Sequence, residues 1–223
     1  MSLHPSSTIR KFIHSSSLDP AIDAGDLDLL VGLLERTRSP GNVVTVGAAL
    51  LGAFGGLAGV ASADEAALRR SGLASAAIVD LRRVRALAVA MARSEACRRP
   101  VLSSWTALMT YLRSSLAHAP REQFLTLYLD KRNILMREEH RAEGTTDHAP
   151  VYVREVVRKA LELSASAMIL IHNHPSGDPT PSRADIDMTR RIVDAARVFD
   201  IQVHDHVIVG REGTKSFRAL GLL

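Results

Sequence analysis

The residues best suited to chemistry lie in one run, Ile171-His172-Asn173-His174-Pro175-Ser176-Gly177-Asp178, which continues to Ser182-Arg-Ala-Asp185. His172 and His174 stand two residues apart at the end of an apolar stretch, Ala167 to Ile171. Such a stretch reads as a strand covered on both faces, so both imidazoles point to the same side. Pro175, Pro179 and Pro181 stiffen the loop that follows, and Ser182 opens a helix whose first turn carries Asp185. From there the Asp185 carboxylate can swing back toward the histidines. Two imidazoles and a carboxylate form a three-ligand set with a fourth position open, as catalytic zinc requires. A water at that position would have its pKa lowered to about 7.

Each of these residues also has a plainer reading. Ser182 suits a helix N-cap, and Asp185 suits the positive end of the helix dipole. The fixed spacing of all four favours the metal. His204-Asp-His206 repeats the His-x-His spacing on a later strand but has no partner at a recognisable distance, so its histidines are read as structural or as supports for the ligands.

The elements that must position these groups follow from hydrophobic periodicity. Phe124 to Leu129 reads as a strand, Asp130 to Asn133 as a turn, and Ile134 to His140 as the hairpin partner. Residues 151–163 read as a helix with Val153, Val156, Val157, Ala160 and Leu161 inward. The helix opened by Ser182 runs to about Val198, and Ile201 to Val209 closes with a strand. Strands alternating with helices indicate an α/β or α+β domain with a mixed sheet in this half.

The first half has a different pattern. Leu27, Leu29, Leu30, Leu33 and Leu34 form a helical stripe ending near Ser39-Pro40-Gly41, and a second helix spans Val43 to Phe54 until Gly55-Gly56 stops it. Ser62-Ala-Asp-Glu65 reads as a capping box for a short helix. Residues 74–94 form a longer helix with Ile78, Leu81, Val84, Leu87, Val89 and Met91 inward. A small all-helical domain over 26–98 thus follows a flexible arm, 1–25. The polar stretch from Glu95 to Ser104, with Ser104 as the next N-cap, links it to a second domain over 101–223.

Composition sets outer bounds. With 223 residues, 46% hydrophobic and 23% charged, the chain is globular, which excludes disordered, collagenous and mucin-like classes. The net charge of +4 is too small for a nucleic-acid coat. It is concentrated between Arg69 and Arg99, where eight arginines face only Asp80 and Glu95. Seven of the nine histidines lie beyond residue 100. A single cysteine, Cys97, cannot close an internal disulfide, which favours a reducing cytoplasm. The uncharged stretch Val43 to Ala61 has a membrane span's length, but its glycines and alanines make it core.

His172-x-His174, seven residues, then Ser182-x-x-Asp185 resembles the JAMM signature of MPN-type metalloproteases. The string His-Asn-His-Pro-Ser-Gly-Asp, the upstream Pro150-Val-Tyr-Val-Arg-Glu-Val156 and the final Ser216-Phe-Arg-Ala-Leu-Gly-Leu-Leu223 resemble its bacterial RadC branch more closely, over roughly residues 100 to 223. The resemblance implies an α/β, cytidine-deaminase-like MPN (JAB) domain with α/β/α layers, preceded by the helical domain. It implies one zinc ion per chain on His172, His174 and Asp185, with Ser182 steadying an oxyanion. The family's general base, a glutamate at the edge of the domain's first strand, corresponds to Glu122. Glu138 and Glu139 on the second strand rank below it. The implied activity is hydrolysis of an amide or isopeptide bond in a peptide or protein.

The N-terminal half resembles a helix-hairpin-helix module, with one glycine in Arg70-Ser-Gly72-Leu-Ala-Ser75 where the family usually has two. Arg69, Arg70, Arg82, Arg83 and Arg85 are its candidate DNA phosphate contacts. They support the alternative reading, a DNA-repair-associated protein whose metal site is structural or idle.

Overall fold

The computed structural model describes residues 22–37, 41–97, 100–143 and 153–223. Two compact units meet in the chain between Ala88 and Val89. The expected arm, 1–25, lies mostly outside the described residues, as do most of the Ser39-Pro40-Gly41 turn and the start of the 150–156 string.

The first unit holds α1 (Ala24–Arg36), α2 (Val43–Phe54), α3 (Leu57–Ser62), α4 (Glu65–Arg70) and the start of α5 (Ser75–Cys97). Asp23 caps α1 through its carboxylate, which accepts from the Gly25 and Asp26 amides, and Asn42 caps α2 likewise. Gly55, in the left-handed region, ends α2. Leu27, Leu30, Leu34, Leu50, Leu51, Leu68, Ile78 and Leu81 form the core. Burying each large apolar side chain contributes roughly 1.5–3 kcal/mol. Ser62 does not open a capping box. It closes α3, a helix missing from the sequence reading, and Asp64 caps α4 by accepting from the Ala66 amide. Val84, Leu87 and Met91, expected inward, are 56%, 62% and 65% exposed, because the core of this unit follows α5 only as far as Leu81 and that of the second unit takes Val89, Ala92 and Ala96 from the helix rather than Met91. Among the described residues, no helix is long and apolar enough to cross a membrane.

The second unit takes in the end of α5, whose Ala96 joins Val101 in its core. The stretch expected to be a linker therefore carries core residues. After a single turn, Val101–Ser104, come α6 (Trp105–Leu116), β1 (Gln123–Leu129), β2 (Leu135–Glu143), α7 (Val153–Glu162), β3 (Ala167–Asn173), α8 (Arg183–Arg197), β4 (Gln202–Gly210) and β5 (Gly213–Ser216). Ser104 stands at the expected N-cap position of α6, yet it makes no cap hydrogen bond. Its hydroxyl donates instead to the Ala96 carbonyl at 3.3 Å.

The sheet order is β2-β1-β3-β4-β5. Only β3 and β4 are parallel, joined by α8, so the sheet is mixed as expected. The short β5 escaped the sequence reading.

Alternation along the strands sorts two cores. Leu125, Leu127, Leu129, Ile169, Ile171, Val207 and Val209 pack with α6. Phe124, Tyr128, Met168 and Leu170 pack with Val156 and Ala160 of α7 and with Ile192 and Ala196 of α8. Helices cover both faces, which gives the α/β/α layering. Leu161, expected inward, is 46% exposed, one position round the helix from buried Ala160.

Candidate metal centre

The alternation that puts Leu170 in the α7/α8 core also turns His172 to that face, at the end of β3 and opposite Phe124. His174 lies just past the strand end, and Asp185 comes from the first turn of α8. His172 Nε2 and His174 Nε2 are 3.0 Å apart. Asp185 Oδ1 is 3.2 Å from the first and Oδ2 is 3.5 Å from the second. One ligating atom from each residue falls within a span of 4.8 Å, so the three side chains could hold one metal ion. His172 and Asp185 are buried.

The loop between the candidate ligands is anchored at each end. The His174 amide donates to the Val209 carbonyl at 2.9 Å, and His174 Nδ1 lies 2.8 Å from the Asp178 carbonyl. Gly177 sits at φ +104°, where side chains are strained. Its carbonyl oxygen occupies the space a Cβ on Gly210 would need. At the far end, the Ser182 hydroxyl accepts from the Asp185 amide at 3.2 Å, and Asp185 Oδ2 accepts from the Ser182 amide at 2.7 Å. This reciprocal capping box orients the Asp185 carboxylate as well as starting the helix.

Burial pushes the Asp185 carboxyl up, but hydrogen bonds from His172, His174 and Ser182 and the charge of His172 outweigh it and hold the group well below the ordinary carboxylate range. The hydrogen bond to Asp185 raises the His174 pKa against the cost of burial, with help from the Asp178 carbonyl and from the charges of Asp185 and Glu122.

This geometry sits inside a sequence match: the RadC-like JAB domain profile covers residues 102–222, more than half of the chain. The chain belongs to the RadC family. It is also 48% identical over 199 residues to a UPF0758 protein of Rhodobacter capsulatus, covering 89% of this chain and 93% of that relative.

In this RadC-family chain Glu122 is half-buried and stands two residues before Phe124. Continuing the antiparallel register of β1 and β3 puts it opposite His174, in keeping with its effect on the His174 pKa. Asn173 fixes that stretch. Its Oδ1 accepts from the Gln123 amide at 2.9 Å, and its Nδ2 donates to the Arg121 carbonyl at 3.1 Å. The sequence reading gave Asn173 no role, although an amide side chain inside a buried strand signals a hydrogen-bonding task.

Glu139 pairs with Thr126 on the His172 face of the sheet, farther from the strand end. Glu138 pairs with Leu127 and faces the other way, where it is bonded to Tyr111 Oη, to Arg93 Nε at 2.8 Å and to His140 Nε2 at 3.1 Å. Burial raises its pKa, but these three partners win and hold it at about 2, against an ordinary 4.5. A lowered folded-state pKa stabilises above the unfolded value, and the effect fades as pH falls through the folded value. Glu138→Gln should therefore cost about 2–3 kcal/mol at pH 7, with the difference gone near pH 2, as read by urea unfolding across pH. An equal deficit at both pH values would refute the ion-pair account.

In the helical unit Arg69 Nη2 lies 2.8 Å from Glu65, Arg82 lies 3.6 Å from the same carboxylate, and Arg83 lies 3.6 Å from Asp80. A DNA phosphate there would compete with these acids. Burial lowers the Arg85 pKa, aided by Arg82.

Two further residues lie behind the site: His206, expected from its sequence to be structural or a support for the ligands, and Thr189, to which the sequence assigned no role. His206 is fully buried, and burial together with the charge of His172 drives its pKa well below the ordinary histidine value. Its Nε2 is 2.8 Å from His172 Nδ1, and its Nδ1 is 2.6 Å from Thr189 Oγ1 on α8.

Proposed function

We propose that this RadC-family protein is a zinc-dependent hydrolase that adds water across an amide or isopeptide bond of a peptide or protein. The convergence of His172 Nε2, His174 Nε2 and the Asp185 carboxylate carries the reading. The donor set fits a metal. A carbonyl can only accept, so His174 Nδ1 carries the proton of its bond to Asp178, and in the neutral ring, the form that binds a metal, Nε2 is bare. That bare nitrogen faces a second imidazole nitrogen and a carboxylate held ionised, a group that calls for a cation. Zinc held there supplies Lewis acidity, which acidifies water and polarises a carbonyl.

The chain's own groups supply the proton steps. Glu122, opposite His174, accepts a proton from the attacking water and returns it to the leaving nitrogen. The Ser182 hydroxyl accepts from the Asp185 amide through a lone pair, and its proton turns to donate to the developing oxyanion. Capping and catalysis are compatible because they use different sides of one hydroxyl.

Elemental analysis tests the foundation. The purified protein should carry close to one zinc per chain, and His172→Ala/His174→Ala should carry almost none. Equal zinc in the two would remove the mechanism.

A further inference from the structure

A line of short contacts runs behind the candidate ligands. Thr189 Oγ1 lies 2.6 Å from the Asp185 main-chain carbonyl and 2.6 Å from His206 Nδ1, and His206 Nε2 lies 2.8 Å from His172 Nδ1. Thr189 is 1% exposed, His206 0% and His172 1%, so water cannot substitute for any of these bonds.

Each contact is short enough to need one proton, and the line has a fixed end. The Asp185 carbonyl can only accept, so the Thr189 hydroxyl proton points at it. Thr189 Oγ1 must then receive the proton on His206 Nδ1. Neither His206 nitrogen is bonded to a carboxylate that would hold it charged, and the ring lies between Phe217 and Phe124, with centroids at 4.6 and 6.0 Å. A neutral imidazole with a proton on Nδ1 has a bare Nε2, which accepts from His172 Nδ1–H. In the neutral ring the Nε2 of His172 is then the nitrogen without a proton, and it is the atom that faces His174 and Asp185.

We infer that Thr189 and His206 are positioning residues that set the tautomer of His172, by a proton order that starts at the backbone carbonyl of Asp185. The helix that brings the carboxylate ligand thus also dictates, through two side chains, which nitrogen of the histidine ligand is free. The reverse order would place a proton on His172 Nε2 and block it as a ligand. The inference rests on the reading of His172 as a zinc ligand, but the tautomer can be measured without metal.

The test uses the full-length protein stripped with chelator, with histidine ¹⁵N shifts reporting the tautomer and chelator competition reporting affinity for Zn²⁺. Wild type should show His172 with its proton on Nδ1. Thr189→Val, nearly the same shape without the hydroxyl, should mix or reverse that tautomer and weaken Zn²⁺ binding by roughly 10–100-fold, the usual effect of losing a ligand's supporting hydrogen bond. Thr189→Ser should restore both. His206→Gln, which can accept with its oxygen and donate with its nitrogen, should keep most of the affinity if Thr189→Val proves too unstable to measure. An unchanged His172 tautomer and Zn²⁺ affinity in Thr189→Val would overturn the inference, and so would failure of Thr189→Ser to rescue. If wild type itself takes up no Zn²⁺, the metal reading fails, while the tautomer comparison still decides the proton order.

Discussion

Glu122→Gln should lower turnover by roughly 10²–10⁴-fold, the usual contribution of a positioned general base, and leave zinc content unchanged. The substitution keeps the shape of the side chain and removes its ability to take a proton. Glu122 is outside the group of residues that could hold the metal. Its negative charge raises the His174 pKa, so the neutral variant holds a proton on His174 less tightly, and a metal competes no worse for that nitrogen. Digestion of a peptide and isopeptide library, followed by mass spectrometry beside elemental analysis, separates the two effects. Normal turnover in the variant would end the assignment of Glu122, whereas loss of zinc along with activity would make it a structural part of the site.

Gly210→Ala is the second large effect. The added Cβ would collide with the Gly177 carbonyl oxygen and press on Pro179 N at 3.1 Å. The obstacle is backbone, which cannot rotate away as a side chain can. Relief requires the loop to lift, and the loop holds the His174 amide on Val209 and the Glu212 amide on the Gly177 carbonyl, at 2.9 and 3.1 Å. A loss of about 3 kcal/mol is expected, together with weaker zinc binding, as read by thermal unfolding and chelator competition. Gly213→Ala is the control, because a Cβ there meets nothing within 4 Å, although φ of +151° adds some strain. Similar stability of Gly210→Ala and wild type would show that the loop can move without cost.

The candidate ligands were legible because their spacing is a local property. Two positions along a strand share a face whatever surrounds it, and a serine three residues before an aspartate announces a helix start. The buried strands were legible for the same reason, since Ala167 to Ile171 has no polar face to expose. What escaped depends on contacts distant in sequence. Thr189 and Asn173 look ordinary in their own segments, and His206 shows only a spacing that suggests a support; which groups they meet is set by partners on other elements. Val84, Leu87 and Met91 continue a good helical stripe past the point where the core of the first unit ends. Ser62 fits the capping box pattern, yet Gly55 and Gly56 let a new helix start at Leu57 and absorb it. The four residues of β5 are too few to show a period.

The close approach of Gly177 to Gly210 also bears on engineering. The segment from His172 to Asp185 invites grafting onto other scaffolds, since it carries three candidate ligands and a helix start in one continuous string. It is not self-supporting, however. Its backbone is moulded against Gly210, Arg211 Nη2 donates to the Ser176 carbonyl at 2.6 Å, and His206 stands behind its first ligand. The transplantable unit is therefore two strands wide: a recipient that receives the string without residues 206–210 of the neighbouring parallel strand and Arg211 just past it would acquire the candidate ligands but lose their aim.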